Sequence, residues 1–313
     1  MKKLTVIDLF SGAGGLSRGF YDAGYDIIMG IDSDSSALKT FEKNHGNAKA
    51  MNLDLFNHEN IYVLEKYMKK ERKQLDVLVG GPPCQGFSLA GKRDETDERN
   101  ILYSAMVKAA EILRPRAIVL ENVTGMLTLY KGQAKEKIFK DFNKLGYKMN
   151  VKILYAPDYG VPQIRKRAFF VGILDSDVQF EYPNPTVKAE NYVTCEQAIG
   201  DLPSLINENN FSLDVVREYE SDPITEYQKK MRKGSKKIYN HIATNHTEKT
   251  IGYLSMIPDG GKYTDLPEEI KKNFKYRESL HRYTSDKPSL TIDTGHRTHF
   301  HYRYNRIPTV REN

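Results

Sequence analysis

The chain has 313 residues, 39% of them hydrophobic, with 20 Tyr and 13 Phe to supply the aromatic packing and no Trp. That length suits one large domain or two smaller ones of about 100–200 residues, and a net charge of +6, from 47 Lys and Arg against 41 Asp and Glu, permits an anionic partner without demanding one. Two cysteines, Cys84 and Cys195, exclude a disulfide framework, and no CxxC pair points to zinc.

In chain order, MKKLTVIDLF starts basic but has no long apolar core, so it reads as a first strand and not as a signal peptide. No stretch approaches the roughly 20 apolar residues of a membrane span, and the expectation is a soluble intracellular protein with no membrane partner. Residues 4–10 (LTVIDLF) form an apolar run of the kind a buried parallel strand shows. A helix is predicted from Leu16 to Ala23, a second strand over 25–31 (YDIIMGI) ending at Asp32, and a helix from Ser35 to Lys43. Further strands are predicted at 75–79 (LDVLV), 117–120 (AIVL) and Ala168 to Ile173. Between the first two of these, 100–113 has helical periodicity, with Ile101, Leu102, Ala105, Ala109 and Ile112 on one side. Strand and helix alternating in this way imply an open, parallel α/β sheet. After Leu174 the texture changes: YPNPT at 182–186 reads as a linker, and the chain to about 280 is polar, basic and weakly periodic, a second and smaller domain. The basic run 229–237 reads as a solvated loop rather than a phosphate clamp.

Four segments carry chemistry. Asp8-Leu9-Phe10-Ser11-Gly12-Ala13-Gly14-Gly15 joins a strand to a helix through a turn whose glycines let the backbone approach a ligand. A dinucleotide fingerprint would want glycine where Ser17 stands, so that reading fails. Asp32 is placed to accept from a ribose and Asp54 from an adenine amino group, which fits an adenosyl ligand without a diphosphate better than NAD. The second segment, Gly80-Gly81-Pro82-Pro83-Cys84-Gln85-Gly86-Phe87-Ser88, follows a strand directly, and a cysteine in such a loop suits a nucleophile better than a buried inert thiol. The third, Glu121-Asn122-Val123, puts a carboxylate at the same edge. The fourth is Gln163-Ile164-Arg165-Lys166-Arg167; in a strand, Gln163, Arg165 and Arg167 would share one face and grip an oxygen or a phosphate.

The order GAGG, PPCQ, ENV, QIRKR closely resembles the DNA cytosine-C5 methyltransferase family of bacterial restriction-modification systems, as do Ala198-Ile199-Gly200-Asp201-Leu202-Pro203, Asn245-His246 and Pro288 to Gly295. The resemblance covers residues 4 to 313 apart from the middle of the variable region. It implies a Rossmann-like, S-adenosylmethionine-dependent methyltransferase fold with a mostly parallel sheet over residues 1–180, an irregular target-recognition domain over 181–285, and a segment 286–313 leading back towards the catalytic domain. It implies that Asp8, Phe10, Gly12, Gly14, Asp32, Asp54, Pro82 and Leu102 form the pocket for S-adenosyl-L-methionine, whose product is S-adenosyl-L-homocysteine. Cys84 becomes the nucleophile and Glu121 the contact to cytosine N3, with Arg165 and Arg167 securing the base. No metal is implied: His296, His299 and His301 lie close in sequence, but no carboxylate or cysteine completes a familiar spacing.

The expected partners are double-stranded DNA and a cognate restriction endonuclease, in the bacterial cytoplasm. Two departures stand out. Ser33 follows Asp32 where relatives often have an aromatic, leaving adenine stacking to Phe10 or Ile31. The family's last motif, which returns to cover the cofactor, is absent after Asn313, so either the chain is truncated or a second polypeptide supplies that piece. Methylation of RNA cytosine, and a regulatory or DNA-binding subunit inactive by itself, are the alternative functions. Residues 86–100 are expected to form a mobile loop closing over a flipped base, and Arg297, Arg303 and Arg306 are candidates for phosphate contacts.

Overall fold

The computed structural model describes residues 3–71, 74–83, 101–206, 212, 215–272, 280–292 and 299–313. The chain divides into two compact units, one built of Met1–Leu154 with Lys166–Pro183 and the other of Tyr155–Arg165 with Asn184–Asn313. The chain therefore leaves the first unit at Tyr155, returns at Lys166 and leaves again at Asn184. Residues 286–313 fall in the second unit.

The first unit holds a seven-stranded sheet in the order β3-β2-β1-β4-β5-β7-β6. Its elements in chain order are β1 (Thr5–Leu9), α1 (Gly15–Asp22), β2 (Asp26–Asp32), α2 (Ser35–Asn44), β3 (Lys49–Asn52), α3 (Ile61–Lys70), β4 (Val77–Gly80), α4 (Ile101–Leu113), β5 (Ala117–Val123), α5 (Gln133–Lys144), β6 (Tyr147–Tyr155) and β7 (Lys166–Leu174). Strands β1 to β5 pair in parallel, and β7 runs antiparallel to β5. Every residue of β1 and β4 is buried, as strands covered on both faces require. Alternation along β1 sends Val6 to a cluster with Leu38 and Phe41 of α2, and Ile7 and Leu9 to a larger one with Leu64 of α3, Met106 of α4 and Phe142 of α5. On the α1 face lies an apolar cavity of about 750 Å³, lined among others by Phe20, Tyr25, Val119, Phe169, Val171 and Phe180.

Among the described residues the second unit has little regular structure: α6 (Cys195–Ile199), β8 (Arg217–Glu218), α7 (Glu226–Arg232), β9 (Lys237–Ile238), α8 (Glu248–Ser255), α9 (Glu268–Lys271), β10 (His281–Arg282) and β11 (His299–Phe300). Its apolar clusters are small, one around Leu254, Ile257 and Phe300, another around Cys195, Tyr283 and Tyr302. Buried polar groups do much of the fastening. Arg282 is 5% exposed, and its guanidinium donates to the carbonyls of Ile257, Leu254, His301 and Tyr304 and to Asn305 Oδ1. Glu312 accepts both Arg306 terminal nitrogens, each at 2.6 Å, and the Thr309 N–H at 2.7 Å.

Candidate active site

The parallel register brings the C-terminal ends of β1, β2, β4 and β5 into line: Leu9 sits opposite Ile31 and Gly80, and Gly80 opposite Leu120. The turn after β1 is built from left-handed residues, Phe10 (φ 61), Gly12 (φ 52) and Gly14 (φ 89). Gly14 cannot be replaced cheaply, since a Cβ there would stand 2.7 Å from the His45 ring and 2.8 Å from Phe41. Over Gly12 nothing among the described residues lies within 4 Å of that position.

Asp32 ends β2 and braces this turn. One carboxylate oxygen accepts the Gly12 N–H at 2.8 Å and the other accepts the Asp34 N–H at 2.9 Å. A carboxylate has about four acceptor positions, so both oxygens retain capacity for hydroxyl groups. Asp54, beyond β3, accepts the Phe56 N–H through one oxygen at 2.9 Å, and its carbonyl takes Asn60 Nδ2. Asp8 has a different setting. It is 1% exposed, and Ser17 Oγ on α1 donates to it at 2.5 Å. Burial pushes its carboxyl up to about 7, the Ser17 hydrogen bond opposing this only in part. Asp8 Oδ1 and the Ser11 hydroxyl are buried with no hydrogen-bond partner among the described residues. Clearance over Gly12 among the described residues, acceptor capacity at Asp32 and unsatisfied polar atoms beneath the turn fit an adenosyl ligand with a polar end.

At the ends of β4 and β5 the chain is tightly fitted. A Cβ on Gly80 would stand 2.7 Å from Leu9 O, and one on Gly81 3.4 Å from Glu121 Oε2. Asn122 Nδ2 donates to Pro82 O at 3.1 Å, holding the start of the PPCQ segment. Glu121, three-quarters buried, pairs with Arg167 Nε at 3.0 Å across the β5–β7 ladder. Cys84 itself, and the loop 86–100, lie outside the described residues, as do Arg297 and His296.

Several expectations are corrected. Gln163, Arg165 and Arg167 do not share a strand face: β7 begins at Lys166, Gln163 makes only an isolated bridge with Ser289, and Arg165 belongs to the second unit. The Pro before Gln163 and the hydrogen bond from Ile164 N to Ser289 O keep that stretch out of the ladder. Ile31 has no exposed surface, so it is not a stacking platform, whereas Phe10 is partly exposed. Leu102 is partly buried against the core, which leaves its expected role in the pocket untouched. Arg306 is 6% exposed and spent on Glu312, hence not a phosphate contact, whereas Arg303 stays half-exposed in its pair with Glu196 and that expectation is untouched.

His301 is buried, and that burial holds its imidazole down at about 3, so it is neutral despite lying 3.4 Å from Glu312. Its Nδ1 accepts the N–H groups of Arg303 and Tyr304, which puts the proton on Nε2, facing Glu312. Sequence reasoning missed three supports. Ser17, noted only as a broken fingerprint, anchors Asp8; Asn122 holds Pro82; and His45 Nε2 donates to Gly14 O at 3.2 Å from beneath the turn. Only Asn122 lay inside a motif that would have drawn attention to it.

A glycine-rich turn at the end of the first strand of a sheet ordered 3-2-1-4-5-7-6 defines an S-adenosylmethionine-dependent methyltransferase. The chain belongs to the C-5 cytosine-specific DNA methylase family, which it matches over residues 4–313; it is a DNA (cytosine-5-)-methyltransferase whose methyl donor is S-adenosyl-L-methionine. It is 35% identical to the type II methyltransferase M1.HphI of Haemophilus parahaemolyticus over 99% of this chain and 76% of that protein. It is 35% identical to M.DdeI of Desulfomicrobium norvegicum, over 99% and 77% respectively. The crystal structure of a DNA modification methyltransferase encoded within an E. coli prophage superposes with a TM-score of 0.77 at 26% identity, covering 99% of this chain and 87% of that one.

Proposed function

We propose that the enzyme methylates a flipped-out cytosine within a specific duplex sequence, through a transient Cys84–C6 adduct, as the modification arm of a type II restriction-modification system. The observation that carries the reading is Glu121, ion-paired with Arg167 beside Gly81 and Pro82, the residues that lead into Cys84. The names of the relatives support the restriction-modification role.

Carbon 5 of cytosine is a poor nucleophile. Addition of the Cys84 thiolate to C6 makes the ring an enamine, and cysteine suits that step because it is strongly nucleophilic even when little of it is ionised. Glu121, protonated on the oxygen that Arg167 does not hold, donates a hydrogen bond to N3 as charge builds on the ring, and Arg167 Nε donates to the other oxygen and keeps the carboxyl in place. The resemblance further assigns Arg165 to O2. Phe10, Gly12 and Gly14 shape the cofactor pocket, Asp32 accepts from the ribose and Asp54 from the adenine, with Pro82 and Leu102 completing it. S-adenosyl-L-methionine supplies an electrophilic methyl group when bound. Loss of the C5 proton and expulsion of the Cys84 sulfur then restore the aromatic ring. Extruding the base from the duplex costs a few kcal/mol, and the second unit reads the surrounding base edges.

The test is duplex DNA carrying a fluorinated C5 analogue of the target cytosine, incubated with methyl donor. The wild-type enzyme should form a denaturation-resistant adduct, and Cys84→Ser should form none while still binding DNA. A wild-type enzyme that turns over without trapping would overturn the covalent step.

A further inference from the structure

One short stretch of the second unit carries a dense positive charge. Residues 226–237 (EYQKKMRKGSKK) contain six basic residues and one acidic residue, a balance of +5. Subtracting these from the whole chain's 47 and 41 leaves 41 basic and 40 acidic residues, a balance of +1 for everything else. A solvated loop is the usual reading of such a run, and a loop would lose much of any binding gain to ordering entropy. The structure places the run on a fastened element instead.

Helix α7 opens with a reciprocal cap: Thr225 Oγ1 accepts Gln228 N at 3.2 Å, and Gln228 Oε1 accepts Thr225 N at 3.2 Å and Ile224 N at 2.7 Å. The same two side chains tie α7 to the middle of α6, since Gln228 Nε2 and Thr225 Oγ1 both donate to Gln197 O, at 3.0 and 2.8 Å. Arg232 is drawn inward. Its Nε donates to Asp201 Oδ2 at 2.7 Å, a terminal nitrogen to Ser221 O at 2.6 Å, and the guanidinium lies 3.7 Å from the centre of the Tyr219 ring. A turn through Gly234 (φ +82) then feeds β9, which pairs with β8. The one arginine is thus consumed by structure, and the lysines face water. Among the described residues Lys230, Lys233, Lys236 and Lys237 are exposed and make no ion pair, and the Lys229 pair with Glu226 is itself solvent-exposed and weak.

Compact ammonium charges on a rigid turn, with the planar guanidinium withheld, suit phosphate oxygens better than base edges, which favour bidentate arginine. We propose that the α7–β9 turn is a phosphate-backbone contact for duplex DNA, one that sets affinity and register without reading sequence. The proposal rests on the enzyme's action on duplex DNA, which supplies a polyanion carrying one charge per roughly 1.7 Å.

The test is the triple variant Lys230→Gln, Lys233→Gln, Lys236→Gln, with the matching triple Lys→Arg variant as the charge-preserving control. Duplex binding is measured against salt for cognate and unrelated sequences, alongside S-adenosyl-L-homocysteine affinity and melting temperature. The slope of log K against log salt should become shallower by about 0.9 for each phosphate the variant no longer neutralises, so by about 2–3 in all. Affinity should fall by a similar factor on both sequences, the cofactor affinity and melting temperature should hold, and the Lys→Arg variant should keep the wild-type slope. An unchanged slope, a loss confined to the cognate sequence, or a loss seen with single-stranded RNA but not duplex DNA overturns the proposal. If wild-type enzyme methylates duplex cytosine while the variant slope is unchanged, only this inference falls; if wild-type enzyme neither binds nor methylates duplex DNA, both fall.

Discussion

The first unit is held by apolar strands and the second by buried ions, and the two are expected to fail under different insults. Around β1 and β4 the strands are closed off from water on both faces, and the packing partners are Leu, Ile, Met and Phe. Around Arg282, Arg306, His301 and Glu312 the partners are carbonyls, carboxylates and ring nitrogens at near-ideal distances. Hydrophobic packing is non-directional and tolerates small shifts, whereas a buried ionic network either has all its partners or carries an uncompensated charge.

The largest effect should come from breaking that network on one side. Arg306→Leu leaves the Glu312 carboxylate buried without its main partner and should cost about 3–5 kcal/mol in urea unfolding. A loss below 1 kcal/mol would show that the second unit does not depend on this pair.

A somewhat smaller effect should appear with pH, and with opposite sign in the two units. In the second unit, burial holds His301 at about 3; burial opposes ionisation of Glu312 but Arg306 outweighs it, bringing Glu312 to about 2. Both values lie below those of the unfolded chain, so this stability is present above about pH 6.5 and drains as pH falls towards 2. In the first unit Asp8 is raised to about 7, so its contribution is greatest near pH 4 and is lost as pH rises to 7. Asp8→Asn should flatten that rise-linked loss, on the order of a few kcal/mol across the window, when unfolding is followed by hydrogen exchange in β1 and β4. Parallel pH profiles for the two units would defeat the comparison.

Smallest of the three, Gly14→Ala forces a Cβ against His45 and strains a φ of +89°, at about 1–3 kcal/mol. The damage should be read as weakened S-adenosylmethionine binding in calorimetry, with little change in duplex affinity. Unaltered cofactor binding would show that the turn accommodates the change.

The contrast also explains what the sequence revealed. Apolar runs such as TVIDL and VLVG announce buried strands because burial on both faces leaves no alternative composition. Strand β3 (KAMN) and the partly exposed β6 carry no such signature and escaped notice. Motif residues at strand ends were legible because glycines and prolines mark where a chain must turn sharply. Their supports were not: Ser17, Asn122 and His45 act through single hydrogen bonds that leave no periodic trace. In the second unit Arg306 looked like a surface cation, since nothing in its local pattern discloses a carboxylate six residues on folding back over it.

The excursion at Tyr155–Arg165 has a consequence for inheritance. Those eleven residues (155 to 165) belong with Asn184–Asn313, and Ser289 binds them through Pro162 O and Ile164 N. A single recombination at Pro183 between two such genes would therefore deliver a mongrel second unit, its main body from one parent and an internal splint from the other. Exchange of the second unit as a cassette should succeed far more often when two breakpoints carry both pieces together.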